Sequence, residues 1–343
     1  MNAASPELAS DNRHYFLYRA LAPLTAFLED RNVVEISVNR PGQIYVERLG
    51  SAHMEYIEIP ELTTAEIVNI GERVAASTNQ FVSSANPILS AALPTGERIQ
   101  VVLPPAAPDG GTLSIRKQVI SNFTLEDYRD QGSLDQVAVA VGGLSETDQA
   151  LIDQLSAHDI YGFIRTAIVN RVSILISGGT SSGKTTFLNA CLKSVDPHER
   201  IITLEDTREL FPPQKNAVHL LASRGDQGTA SVTIQSLLEA SLRMRPDRLF
   251  VGEVRDRKPS PSCAQSTRVI RARCRPFTPI RPLGAYEQLA MMVMQSGLSA
   301  AYPKADLISY IQSVIPIVVQ LRREGGRRGI SEIFFARERM GAP

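Results

Sequence analysis

Residues Gly178 to Thr185 read G-G-T-S-S-G-K-T. This is the spacing G-x-x-x-x-G-K-[ST], in which backbone N–H groups, a lysine and a hydroxyl converge on phosphate oxygens. Gly178, Gly179 and Gly183 are expected to let the chain turn tightly, so that the loop amides and a helix N-terminus face an anion. Thr180, Ser181 and Ser182 lie between them, and Thr186 follows in the first helical turn. Lys184 is expected to reach the β- and γ-phosphates, and the Thr185 hydroxyl to ligate magnesium. A nucleoside triphosphate, ATP, is the expected ligand.

Such a loop needs a strand before it and a helix after it. Val172-Ser-Ile-Leu-Ile176 is β-branched and continuous enough for a buried parallel strand, and Thr186 to Leu192 has helical apolar spacing. Two further apolar runs end in acids. Arg200 to Asp206 closes on Glu205 and Asp206, and Arg248 to Glu253 closes on Glu253. Ligands of open parallel sheets bind at the carboxyl ends of the strands, so these three carboxylates are expected to converge on the phosphates. One would orient or deprotonate the attacking water, and Asp206 or Glu253 would hold magnesium directly or through water.

With 343 residues the chain has length for about two domains, and its 21% charged, 43% hydrophobic composition is that of an ordinary globular protein. A formal net charge of zero gives no global argument for nucleic acid or an anionic membrane. The polar start, Met1 to Arg13, has no signal-peptide core, and no apolar run reaches the ~18 residues of a spanning helix. The three cysteines form no C-x-x-C pair, which argues against a disulfide framework or a zinc module. The expected location is cytoplasmic, peripheral to a membrane through partners.

Along the chain, residues 1–120 combine a helix at Leu21 to Leu28 with alternating strands at Val33 to Val38 and Gln43 to Arg48, separated by turns at Arg40-Pro-Gly42 and Pro94-Thr-Gly96. This reads as a smaller α+β domain. Residues 121–158 are polar and read as a connector. Residues 159–343 read as an α/β domain with a parallel-rich sheet around the phosphate loop.

Three segments now match a known family. Ile174 to Thr186, Ile202-Thr-Leu-Glu-Asp-Thr-Arg-Glu-Leu210 and Leu242 to Arg255 closely resemble the hexameric traffic ATPases of type IV secretion and conjugal transfer. In the first domain Ile36 to Gly42, Leu93 to Gln100 and Leu113 to Lys117 resemble the same family. The related type II secretion ATPases usually carry a zinc-binding cysteine insert, which this chain lacks. The resemblance implies a RecA-like P-loop ATPase domain and a homohexameric ring. It makes Arg98 and Arg116 candidates for first-domain arginines that reach the nucleotide phosphates. It matches Glu205 and Asp206 to the family's acidic box and Glu253 to its Walker B glutamate, while Arg243, Arg245 and Arg255 lie in matching segments without an assigned role. Expected partners are inner-membrane channel components, companion ATPases and an exported protein or nucleoprotein. No direct sequence-specific binding of nucleic acid is expected.

One segment departs from the family. After Arg255 the family continues through a helix into a histidine box of the form T-G-H-x-G-S. Residues 258–281 instead contain Pro259, Pro261, Pro276 and Pro279 and no histidine. With suitably chosen synonymous codons, reading two bases later turns Thr267 to Ala272 into a run containing T-G-H-P-G. Extended over the segment, the shifted frame gives a family-like helix and histidine box, with histidines in place of Ile270 and Thr278 and without Cys263 or Cys274. One base lost near Arg257 and one gained near Pro282 would produce this. Two readings stand: an out-of-frame translation of the histidine-box region, and an altered loop. Taken at face value, Lys258, Arg268, Arg271, Arg273, Arg275 and Arg281 form a basic run without an acid. No aromatic residues alternate with these arginines, which argues against a nucleic-acid patch.

The expected activity is ATP hydrolysis that drives pilus biogenesis and substrate translocation by moving the first domains of a ring. Two rivals differ in class. A ring subunit lacking the histidine box would bind nucleotide without hydrolysing it, and a RecA-type motor would be stimulated by DNA.

Overall fold

The computed structural model describes residues 14–118, 124–135, 137, 143–223, 230–254, 269–272, 281–295 and 303–340. They form two lobes, each built on one sheet. The first opens with helix α1 (14–20). A 3-10 turn at Ala22–Leu24, with Pro23 in its first positions, leads into α2 (Thr25–Glu29). Then come β1 (Val33–Arg40), β2 (Gln43–Arg48), β3 (Glu55–Glu58), α3 (Thr64–Ser77), β4 (Ile88–Ala92), β5 (Arg98–Val102) and β6 (Thr112–Arg116). Every neighbouring pair in the order β3-β2-β1-β6-β5-β4 is antiparallel. The expected turns are where the backbone needs glycine, with Gly42 at φ +75° and Gly96 at φ +101°.

Alternation decides what each face of this sheet does. Ile36 and Val38 of β1, Ile99 and Val101 of β5, and Leu113 and Ile115 of β6 pack on Leu17, Leu24, Ile67, Ile70 and Val74 of the helices. Helix α3 presents that stripe because Thr63 caps it, accepting from Glu66 N at 3.3 Å. The intervening residues Glu35, Ser37, Asn39, Gln100, Thr112 and Ser114 are polar and equally buried. They face the second lobe.

After a short helix α4 (Leu125–Asp130) that buries no residue, that lobe contains α5 (Glu146–Ser156), α6 (Ile160–Val169), β7 (Ile174–Gly178), α7 (Lys184–Leu192), β8 (Ile201–Glu205), β9 (Ala217–Leu221), α8 (Ile234–Ser241), β10 (Arg248–Val254), β11 (Val269–Ala272), α9 (Pro282–Gln295), α10 (Lys304–Val314), β12 (Ile317–Glu324) and β13 (Arg327–Phe335). Its strand order is β13-β12-β7-β11-β10-β8-β9, parallel except where β13 returns along β12. Leu175, Ile202, Leu204 and Val251 meet Leu237, Leu238, Tyr286 and Ile311 on one face. Ile174, Ile176, Ile201 and Phe250 meet Leu151, Phe163, Leu188 and Leu192 on the other. Covered on both sides, the strands read as continuous apolar runs. This is the expected α/β, RecA-like arrangement.

Within the stretch read as a connector, α5 packs into this lobe through Leu151. Arg337 holds Asp148, in the first turn of α5, at 2.8 Å. Of residues 258–281, Val269–Ala272 supplies a short parallel strand between β10 and β7, and it contains none of the prolines. The remainder, apart from Arg281, lies outside the described residues. The late apolar stretch from Ser313 to Leu321 ends α10 and begins β12. No helix among the described residues is long and apolar enough to cross a membrane.

The lobes meet around Arg200, whose side chain is completely buried. Its Nε donates to Met244 O at 2.9 Å, one terminal nitrogen to Asn216 Oδ1 at 2.8 Å and to Asn39 Oδ1, and the other to Ser114 Oγ at 3.4 Å. Asn39 Nδ2 also donates to Asn216 Oδ1 at 2.9 Å. Around this centre lie the Arg245–Glu47 ion pair at 2.5 Å, the Arg208–Asp109 pair at 2.7 Å, and the stacked rings of His53 and His198, 4.6 Å apart. An apolar seam adds Val102, Ala106 and Ala107 against the cluster that contains Val218 and Leu220.

Glu35 is buried beside this network, and its Oε1 has no hydrogen-bond partner. Burial pushes its carboxyl up to about 7, against the attraction of Arg200 and Arg245. A folded-state value above the unfolded one favours the protonated acid. The stability that Glu35 contributes is therefore present below about 4.5 and lost as pH rises through 7. The Glu35→Gln variant removes that dependence. In chemical denaturation its stability relative to wild type is expected to improve by about 2–3 kcal/mol between pH 5 and pH 8. A difference that stays flat across this range refutes the burial of an ionisable Glu35.

Candidate functional site

The phosphate loop leaves the end of β7, which is buried on both faces and flanked by β11 and β12. Close approach explains Gly178. A Cβ there would lie 2.6 Å from Leu321 O on β12 and 2.7 Å from Ser182 Oγ, so any side chain would push the strands apart. Gly183 has φ +94° at the N-cap of α7 and needs glycine for its conformation. The expectation that Gly179 also serves the turn is corrected: it has open space around it and no positive φ, while Ser181 takes φ +60°.

Thr180 and Ser181 are exposed at the loop mouth, and Thr186 is exposed in the first turn of α7. No side chain caps α7, so its first amides remain available to an anion. Lys184 is only 8% exposed, and its Nζ donates to Gly178 O and Gly179 O at 2.7 Å each. The ammonium is thus gathered inside the loop. Ser182 Oγ is buried there without a partner.

The acid strand ends of β8 and β10 lie at the same carboxyl end of the parallel sheet as this loop. Glu205 is 1% exposed, and its Oε1 accepts from Glu209 N at 2.8 Å and Leu210 N at 3.0 Å. Its Oε2 is buried with no hydrogen-bond partner, and burial raises the carboxyl above its ordinary value. Gly252 explains how the carboxylate fits: a Cβ on that β10 residue would come within 2.9 Å of Glu205 Cγ. Asp206 is half-buried at the end of β8. Glu253 follows Gly252 on β10, and its side chain lies outside the described residues.

One residue escaped the sequence reading. Glu209 Oε2 accepts a hydrogen bond from the Thr185 hydroxyl at 2.9 Å, which places a fourth acid directly on the expected magnesium ligand. Asn189 of α7 ties the same segment down, donating to Glu209 O at 2.9 Å and accepting from Phe211 N at 2.8 Å. Its signal in the chain is the spacing Glu205-Asp206-x-x-Glu209, in which Glu209 lies past the end of the strand.

Arg98 and Arg116 are brought together by the first sheet. They are direct cross-strand partners on β5 and β6, both exposed, on the same side as Gln100 and the lobe-facing Ser114. No hydrogen bond or ion pair joins either to the phosphate loop among the described residues. Like charges directly opposite each other are destabilising, so the pair is suited to an anion. Arg245 holds Glu47 across the lobes, and Arg243 donates to Glu239 O at 3.0 Å. Arg255 lies outside the described residues.

The donor set fits a magnesium nucleotide. An uncapped helix N-terminus and an internal lysine match phosphate, while a hydroxyl beside carboxylates matches a hard divalent cation.

Comparison with known proteins agrees with this chemistry. Residues 19–266 match the family model "Type II/IV secretion system protein". The type IV secretion system protein VirB11 of Bartonella quintana is 36% identical over 92% of this chain and 91% of its own length. Protein VirB11 of Agrobacterium fabrum is 31% identical over 92% of each chain. Among solved structures, the VirB11 ATPase of the Brucella suis type IV secretion system, crystallised with sulphate, superposes with a TM-score of 0.87. That match has 32% identity and covers 96% of this chain and 98% of the other. From the phosphate loop outward through both lobes, the chain belongs to the type II/IV secretion system protein family.

Proposed function

We propose that this chain is the ATPase of a type IV secretion or conjugal transfer system, hydrolysing ATP between Lys184 and Glu205. The observation that carries the chemistry is that an uncapped phosphate loop and a buried carboxylate with one unpaired oxygen stand at the carboxyl ends of strands of one parallel sheet, with Thr185 and Glu209 hydrogen-bonded between their segments.

The nucleotide's phosphates draw Lys184 off the Gly178 and Gly179 carbonyls and receive the loop amides. Thr185, Asp206 and Glu253 would hold magnesium, the Thr185 hydroxyl then giving up its hydrogen bond to Glu209. Magnesium supplies charge neutralisation along the phosphate chain when bound. Glu205 is fixed through Oε1 by two amides, leaving Oε2 to orient the attacking water and accept its proton. Its raised pKa makes it a better base than an exposed carboxylate at neutral pH.

Arg98 and Arg116 are the first lobe's contribution. A phosphate between the lobes relieves their mutual repulsion and draws the first sheet toward the site, so lobe closure follows nucleotide state. In a homohexameric ring such closure would act on channel components, companion ATPases and exported protein or nucleoprotein at the cytoplasmic face of the inner membrane. Residues 258–281 give the second reading its footing. Without a histidine there, the chain as written would be a ring subunit that binds ATP and does not turn it over.

Phosphate release and nucleotide binding by the purified chain separate these readings. Turnover above background supports the enzyme, whereas tight ATP binding with background release supports the inert subunit. In an active form, Lys184→Ala should abolish hydrolysis, and retained turnover would sink the phosphate-loop assignment. Glu205→Gln should lower kcat by about 10²–10⁴ while leaving ATP affinity within about threefold. Gly252→Ala should act in the same direction by displacing the Glu205 side chain; unchanged kcat in both variants would assign the base elsewhere.

A further inference from the structure

Beside Gly183 stands a cation that the loop motif does not name. We propose that Arg328 is a further phosphate-binding residue of the nucleotide site, reaching the bound nucleotide's phosphate chain from the β12–β13 hairpin. The inference rests on the nucleotide-binding reading above and adds to it a residue from the end of the chain.

Placement is the first argument. A Cβ on Gly183 would lie 3.7 Å from Arg328 Cδ and 3.8 Å from Arg328 Cβ, so the arginine stem runs along the last glycine of the loop. The guanidinium begins one bond past Cδ, and the amides that bind phosphate begin at this glycine and the helix it caps.

Rigidity is the second. β12 stays in register with β7 as far as Leu321 opposite Gly178, where the Leu321 carbonyl presses on the loop's first residue. Arg322, Arg323 and Glu324 continue past that point, about 10 Å of strand alongside the loop. The chain then reverses through Gly325 and Gly326 at φ +54° and +84°, a tight two-residue turn that suits the strand twist, and β13 pairs back with Arg328 opposite Arg323.

Charge is the third. Arg322 is paired with Glu324 at 3.0 Å. Arg323 and Arg328 are exposed, directly opposed and without a hydrogen bond or ion pair among the described residues. Opposed like charges cost stability unless an anion lies within reach, and a guanidinium fork matches phosphate oxygens in a way a solvated lysine does not. The molecule thus flanks its phosphate loop with a cross-strand arginine pair on the second lobe, as the first lobe carries one in Arg98 and Arg116.

Affinities of the full-length chain for ADP and for inorganic tripolyphosphate test this, with Arg328→Lys, Arg328→Met, Arg328→Gln, Arg322→Gln and Lys184→Ala compared to wild type. Arg328→Met and Arg328→Gln should each weaken both ligands about tenfold, Arg328→Lys should recover part of the loss, and Arg322→Gln should bind as wild type does. Thermal midpoints without ligand should not fall and should rise slightly, since methionine keeps the packing over Gly183 and the repulsion from Arg323 is relieved. Wild-type affinity in Arg328→Met and Arg328→Gln overturns the assignment. A loss confined to ADP, with tripolyphosphate unaffected, also overturns it, because the contact would then be to base or ribose. Failure of the wild-type chain to bind ADP, or undiminished binding by Lys184→Ala, would instead strike at the nucleotide site itself.

Discussion

A fully buried guanidinium ties the two lobes together. Arg200 sits immediately before β8, so the strand that ends in Glu205 begins at the lobe boundary. Burying an unpaired guanidinium costs several kcal/mol, and the structure offsets this with hydrogen bonds from both lobes: Met244 O and Asn216 on one side, Asn39 and Ser114 on the other. Removing either lobe would leave the charge partly unsatisfied. The polar face of the first sheet follows from this constraint, because Ser37, Asn39 and Ser114 would otherwise be hydrophobic positions in a two-sided core.

A polar boundary differs in kind from the apolar cores on either side of it. Hydrogen bonds and ion pairs such as Arg245–Glu47 and Arg208–Asp109 can exchange with water at small net cost, whereas separating the clusters around Ile67 or Leu238 would expose apolar surface. The boundary combines both kinds of contact, since the apolar seam of Val102, Ala106 and Ala107 crosses it beside the polar groups around Arg200. Arg98 and Arg116 belong to the same lobe-facing side of the first sheet as Ser114.

Much of this was legible in the chain. The phosphate loop, its strand and its helix follow from local chemistry, since glycine spacing, lysine and threonine are required by phosphate geometry itself. Strand β2 falls where the sequence places it, Gln43–Arg48, a β-prone Ile-Tyr-Val core bounded by the Arg40-Pro-Gly42 turn. Glu209 was less legible. Its role depends on the chain folding back from Glu205 so that two amides meet one carboxylate oxygen, and no local pattern records that turn. Gly179 was over-read for the converse reason: the motif contains it, but no neighbour crowds it.

The sequence by itself determined the ligand class, the parallel order of strand, loop and helix, and the family, because each depends on residues adjacent along the chain. Tertiary structure alone decided which glycines are obligatory, since Gly178 is constrained by Leu321 and Gly252 by Glu205, both distant in sequence. It also decided that Arg200 and Glu35 are buried at a boundary and that Arg328 lies against the phosphate loop. A charged residue reads as solvent-facing until the element that covers it is in place, and those elements are supplied by remote parts of the chain.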